Sequence, residues 1–162
     1  MSSIVIEKRM YLDPKFLDQD IETHIFNELS KIIVNECSEE YGYILSVQNI
    51  ISYYNLEDTI FIVKFNAAVL KPEAGKILSG KVCMIIKDGI LIDINNRQKL
   101  LIPSSNLEFF ELNLIENAYV YGDVKIKVGD EVKSEVIFTK YVDQKFCCYG
   151  KLANNFVKSI QH

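Results

Sequence analysis

The sequence predicts an α+β protein of two units, a helix packed on an antiparallel sheet followed by a five-stranded β-barrel. Three observations predict it. Residues 18–37 form the long segment whose apolar side chains recur at helical spacing. Residues 60–70 alternate apolar and polar, then break at Lys71-Pro72-Glu73-Ala74-Gly75. Beyond that break almost every segment reads as a strand set off by turn residues.

In chain order, residues 4–12 make the first strand candidate, closed by Asp13-Pro14. Asp18 offers a helix N-cap, with Asp20 and Glu22 in the first turn, where the helix dipole favours negative charge. Ile21, Ile25, Leu29, Ile32 and Ile33 form the buried stripe of a helix over 18–37. Ser38-Glu39-Glu40 turns into a second strand at 42–50. In the strand at 60–70, Phe61, Val63, Phe65, Ala67 and Val69 share one face, and Lys64 and Asn66 the other. Pro72 cannot donate to a ladder and Gly75 frees the backbone, so the domain boundary falls there, giving units 1–74 and 75–162. The first is a small helix-on-sheet layer of RNP-like character.

The second unit opens with a strand over 76–87, with Leu78, Val82, Met84 and Ile86 on one face. Asp88-Gly89 is expected to supply the two left-handed positions of a type I′ hairpin turn. Residues 90–94 return, Asn95-Asn96-Arg97-Gln98 turns, and 99–102 make a third strand. After a longer connection, Val128-Gly129-Asp130 leads into 131–141, and Val142-Asp143-Gln144-Lys145 turns into 146–152. Five strands with the longest connection between the third and fourth are the strand plan of an OB-fold.

Composition narrows the function. With 49% hydrophobic and 25% charged residues over 162 positions, the chain is a folded protein rather than a disordered one. No run approaches the roughly 20 apolar residues a bilayer span needs, and the N-terminus carries charge too early for a signal peptide. An intracellular chain without a membrane partner is expected, its four cysteines reduced. Cys37, Cys83 and the Cys147-Cys148 pair lack CxxC spacing, and the histidines are His24 and His162, so no zinc site and no cofactor is expected. The thiols read as buried or half-buried strand residues, and His24 as a helix residue without an orienting partner. No Gly-rich phosphate loop or nucleophile–base pair is present, which argues against an enzyme. The net charge of −4 conceals a gradient: residues 17–62 sum to −8 and residues 76–102 to +3, which suggests different partners for the two halves.

The run from Val63 to Val82, Val63-Lys64-Phe65-Asn66-Ala67-Ala68-Val69-Leu70-Lys71-Pro72-Glu73-Ala74-Gly75-Lys76-Ile77-Leu78-Ser79-Gly80-Lys81-Val82, resembles the join between the two domains of the stalk subunit of archaeal and eukaryotic RNA polymerases. This is the family of the archaeal E subunit and the seventh subunit of eukaryotic RNA polymerase II. Leu12-Asp13-Pro14-Lys15-Phe16-Leu17, Glu40-Tyr41-Gly42-Tyr43-Ile44-Leu45-Ser46-Val47, Val128-Gly129-Asp130-Glu131-Val132 and Lys145-Phe146-Cys147-Cys148-Tyr149-Gly150-Lys151-Leu152 resemble further family segments in the same order.

The resemblance implies a non-catalytic subunit. Its first domain would insert a tip among the large polymerase subunits near the base of the clamp, its OB-fold would contact nascent single-stranded RNA, and a smaller helical stalk subunit would be an optional partner. Carried over, Asp13, Pro14 and Phe16 belong to the core-contacting tip, and Tyr53, Tyr54 and Leu56 to its second loop, Ser52-Tyr53-Tyr54-Asn55-Leu56-Glu57-Asp58, which is shorter than the family's and lacks glycine. On the barrel, Gly89-Ile90-Leu91-Ile92-Asp93-Ile94 puts Ile and Leu where the family often carries Phe, and Leu100-Leu101-Ile102-Pro103-Ser104 offers no aromatic, so RNA binding is expected to be weak and salt-sensitive. Lys81, Lys87, Arg97, Lys99 and Lys140 are the candidate phosphate contacts, and Tyr141 a candidate stacker. Two other readings stay open: an OB-fold factor of translation initiation or RNA decay, and a purely structural polymerase subunit without RNA binding. The location would be the nucleus of a cellular host, or a viral factory or virion if the source is a large DNA virus, which the compositional skew and short loop favour.

Overall fold

The computed structural model describes residues 2–33 and 36–153. They divide into two compact units, Met1–Lys71 and Pro72–His162.

The first unit is a four-stranded antiparallel sheet in the order β1-β4-β3-β2, with one helix packed on it. Its strands are β1 (Ser2–Tyr11), β2 (Cys37–Ser38), β3 (Gly42–Glu57) and β4 (Ile60–Leu70), and its helix is α1 (Ile21–Ile32). The alternation read from residues 60–70 holds: Phe61, Val63, Phe65, Ala67 and Val69 are all buried. Register places Ile6 and Met10 of β1, and Ile44 and Val47 of β3, on the same face. Ile25, Leu29 and Ile33 close the core from above.

Helix α1 is shorter at both ends than its periodicity predicts. The Asp18 carboxylate accepts from the Asp20 amide at 2.8 Å and its carbonyl from the Ile21 amide at 3.3 Å, so Asp18 shapes the turn before the helix and Asp20 takes the cap position. At the other end Ile32 and Ile33 are β-branched and restricted on a helix. The Glu36 amide turns back to the Ile33 carbonyl at 3.0 Å, and Cys37 pairs with Tyr43 as part of β2. Val34 and Asn35, within the expected helix, lie outside the described residues, as does His162.

A larger correction concerns β3. Of residues 52–58, expected as a loop, 52–57 continue the strand: Ser52 pairs with Lys64, Tyr53 with Val63 and Tyr54 with Ile62. The reversal needs only Asp58-Thr59, with Asp58 at φ 48° and its carbonyl accepting from the Asn55 side chain at 2.8 Å. Ile50-Ile51-Ser52-Tyr53-Tyr54 is rich in β-formers, which fits strand over loop. The β3–β4 ladder shifts register at Ile44/Ser46, Val47/Asn49, Ile50/Ser52 and Asn55/Glu57, and each bulge adds local twist.

The second unit is the predicted barrel, closed in the order β11-β12-β7-β6-β5. Its elements are β5 (Ile77–Ile86), β6 (Gly89–Ile94), β7 (Gln98–Pro103), then β8 (Glu111–Asn113), β9 (Ala118–Tyr121) and β10 (Val124–Lys127), then β11 (Glu131–Val142) and β12 (Lys145–Leu152). Strands β8 to β10 form a separate sheet inside the long connection, which the sequence did not signal. Tyr119 ties this sheet to the barrel, its hydroxyl donating to the carbonyls of Ile86 at 2.7 Å and Lys87 at 3.1 Å. Burial, with the nearby Asp88 charge, raises its pKa.

Two local expectations fail for identifiable reasons. Met84 and Ile86 do not share the buried face with Val82: register breaks between Val82 and Met84, so Ile85 turns inward and its neighbours outward. Asp88-Gly89 is not the type I′ pair. Ile86 pairs with Gly89, which makes Lys87-Asp88 the turn, while left-handed pairs occur at Asn95-Asn96 and Asp143-Gln144. Gly89 is needed for another reason. It sits at φ 148° opposite Pro103, and a Cβ there would overlap the Ile102 carbonyl oxygen.

Candidate nucleic-acid interface

Following the register around the barrel yields two outward rows. Met84 of β5 lies opposite Leu91 of β6, Leu91 opposite Leu101 of β7, Leu101 beside Tyr149 of β12, and Tyr149 opposite Phe138 of β11. An apolar belt therefore crosses all five barrel strands. Met84, Phe138 and Tyr149 are 49%, 52% and 41% exposed, and the two rings meet at 6.0 Å with a 39° tilt.

One pleat step away, about 7 Å along each strand, runs a polar row. Lys81 lies opposite Asp93, Asp93 opposite Lys99, and Cys147 opposite Lys140. The parallel β7–β12 register, with Leu100 beside Cys148, sets Lys99 and Cys147 one residue earlier on their strands. Lys99 reaches Asp93 at 3.1 Å. Glu131 of β11 lies opposite Lys81 on its other side, so three lysines against two carboxylates, Asp93 and Glu131, leave this row net positive by one in a chain of net charge −4.

The structure thus brings together three of the predicted phosphate contacts, Lys81, Lys99 and Lys140. Arg97 sits just beyond them in the β6–β7 turn, and Lys87 stands at the opposite end of the β5–β6 hairpin. Tyr141 is on the wrong parity: it pairs with Phe146, which is 8% exposed, and the two rings meet at 5.0 Å. The outward aromatics are Phe138 and Tyr149, which sequence reasoning missed. Alternation back from Lys140 and on from Cys147 would have found both.

At one end of the first unit the two predicted tip segments meet. The Leu12 amide donates to the Thr59 carbonyl at 2.8 Å, holding the turn after β1 against the β3–β4 hairpin. Asp13 accepts from the Lys15 amide at 3.0 Å, and Pro14 opens a 3-10 turn, Pro14–Phe16. The six candidates then divide. Phe16 and Tyr53 are half-buried against the unit's own core, whereas Tyr54 and Leu56 are 56% and 46% exposed. Tyr54 shares the outer face with Ile62, Ile60 and Tyr11, an exposed aliphatic and aromatic patch at the tip. His24 does have partners, stacking on Phe16 at 4.7 Å and approaching Asp18 at 3.3 Å.

The thiols also differ from expectation. Cys83 and Cys147 are exposed, Cys37 is half-buried and Cys148 buried. Burial, reinforced by Cys147, pushes the Cys148 thiol from the ordinary 9.0 up to about 12. A thiol-specific alkylating reagent should label Cys83 and Cys147 in the native protein and spare Cys148 until unfolding, as peptide mass mapping would show. Because the folded-state value is the higher one, Cys148 should cost stability as pH climbs from about 9 toward 12.

Comparison with known proteins adds a family. Residues 71–144 match the S1 RNA binding domain family. DNA-directed RNA polymerase II subunit RPB7 of Glycine max is 27% identical over 164 aligned residues, covering 95% of this chain and 93% of the relative. DNA-directed RNA polymerase II subunit 7 of Arabidopsis thaliana aligns with the same identity and coverage. Among solved structures, the apo form of Mycoplasma genitalium RNase R overlays 48% of this chain and 13% of its own, at 18% identity and a TM-score of 0.40, too slight a likeness to bear on the fold. With relatives spanning both units and an S1 match over the barrel, the chain is similar along its length to the seventh subunit of RNA polymerase II, which supports the stalk-subunit resemblance.

Proposed function

We propose that the chain is a non-catalytic stalk subunit of a multisubunit RNA polymerase. It docks through the tip of its first unit near the base of the clamp, and its barrel contacts nascent single-stranded RNA. The carrying observation is similarity to polymerase subunits over 95% of the chain, in register with a barrel that matches an RNA-binding domain. The exposed Tyr11–Tyr54–Ile62 patch suits docking, since aromatic anchors dominate the centres of protein interfaces. The lysine row suits phosphates. Docking would hold the barrel beside the exiting transcript, and such tethering raises the effective RNA concentration enough for weak contacts to count. In a cellular host the protein would work in the nucleus.

Affinity purification of the tagged chain from its native source should recover the two large polymerase subunits. Recovery of ribosomal or RNA-decay factors in their place would overturn the proposal. Tyr54→Asp should reduce that recovery without lowering the melting temperature, because the side chain is exposed. Filter binding of single-stranded RNA across a salt series separates this reading from a barrel that only scaffolds. Substituting Ala at Lys81, Lys99 and Lys140 together should flatten the log–log salt slope by about 0.7 for each phosphate no longer neutralised.

A further inference from the structure

We infer that the barrel carries its base-stacking platform on its fourth and fifth strands, where Phe138 and Tyr149 take two unpaired bases of single-stranded RNA with little regard to sequence. The inference rests on the RNA-contact reading above and specifies where and how that contact is made.

The argument starts from the belt. Its positions on the second and third barrel strands are Leu91 and Leu101, half-buried aliphatic side chains that offer a base no π face. The same row ends in two aromatic rings on neighbouring strands, 6.0 Å apart and about half-exposed. Aromatic side chains on a sheet surface next to cations are what single strands stack on. The cations are in place: Lys140 stands two residues from Phe138 on β11, and Lys99 two residues from Leu101 on β7. A strand lying across the barrel would set its bases on the belt and its phosphates on the row one pleat step away. Net positive charge on that row, in a chain that is negative overall, selects a polyanion over a typical protein surface. On the far side of the rings Glu135 and Lys151 lie directly opposite one another and offset in charge. Met84, Leu91, Leu101 and Phe138 present no hydrogen-bonding groups to a base edge, and the Tyr149 hydroxyl can both donate and accept, so the belt discriminates little between one base and another.

The chain contains no tryptophan, so Phe138→Trp introduces a single tryptophan at the platform, whose fluorescence can be excited apart from that of the tyrosines. Titrating the full-length variant with a short oligouridylate should quench that fluorescence along the binding isotherm. Phe138→Ala and Tyr149→Ala should each weaken binding about fivefold to a hundredfold, with the salt slope unchanged. Phe138→Tyr and Tyr149→Phe should restore it. Circular dichroism melts check that each variant is folded. If both alanine variants bind like the unmodified protein while the lysine substitutions lose affinity, the platform is overturned and the RNA-contact reading survives. If the unmodified protein binds no oligouridylate, both fall. Loss of a co-purifying polypeptide with RNA affinity intact would make the rings a protein-docking surface and equally overturn the platform.

Discussion

Phe65→Ala should cost the first unit about 3–5 kcal/mol. Phe65 is fully buried, with Ile6 opposite on β1, Ile50 opposite on β3, and Val63 and Ala67 flanking it on its own strand. Sheet partners on both sides hold the surrounding backbone in place, so truncation leaves a cavity that the structure can close only in part. Since small domains hold only about 5–15 kcal/mol in all, most of the unit's margin would go. Urea titration should show the fall in midpoint, and amide exchange in β1, β3 and β4 should accelerate together. Phe65→Leu, which keeps most of the volume, should lose much less. A midpoint change in Phe65→Ala worth under about 1 kcal/mol, against that range, would mean that the core is centred elsewhere.

Gly89→Ala should be the corresponding lesion in the barrel. A left-handed backbone position alone costs a side-chain-bearing residue about 1–3 kcal/mol, and at Gly89 the added Cβ also runs into the Ile102 carbonyl. Relief requires β6 to move away from β7 at its first pair, Gly89 with Pro103, and that shift propagates to Leu91 and Leu101 two residues on. The melting temperature should fall by about 4–8 °C per kcal/mol for a unit of this size. Asp88→Ala, one residue earlier in the turn, should stay within about 0.5 kcal/mol, because Asp88 is not in a left-handed conformation. Equal damage at both positions would show that the turn needs its left-handed pair at Asp88-Gly89 after all.

Legibility in the sequence follows the regularity of the backbone. Residues 60–70 are readable because β4 keeps perfect alternation between two partners, and each apolar position counted from Phe61 is buried. Met84 and Ile86 are misplaced by periodicity because a one-residue bulge inverts parity and leaves no compositional mark. Residues 52–58 read as a loop only by analogy with a longer family loop, although Tyr53-Tyr54 is an ordinary strand dipeptide. Strands β8 to β10, three or four residues each, are too short for any period to register. The belt is hidden for a different reason. Leu101 and Tyr149 are 48 positions apart and become neighbours only when the barrel closes with a parallel pair, so neither strand read alone reveals the row. Its cations are legible because lysines are exposed almost wherever they fall, and that is also why Lys87, at the far end of its hairpin, reads as one of them.

The repeated register breaks of β3 bear on how this chain behaves free in solution. Beyond Gly42 and Tyr43, no described strand pairs with the outer edge of β3, leaving a long run rich in Ile, Val and Tyr at the margin of the sheet. A flat edge of that composition is a template for chain-to-chain strand addition and fibril growth. Bulges at four points interrupt the even spacing of amide and carbonyl groups that a second copy would need to zip along it. The irregular strand therefore protects solubility, and straightening it by deleting bulge residues should yield a protein that clumps during expression even where its core is intact.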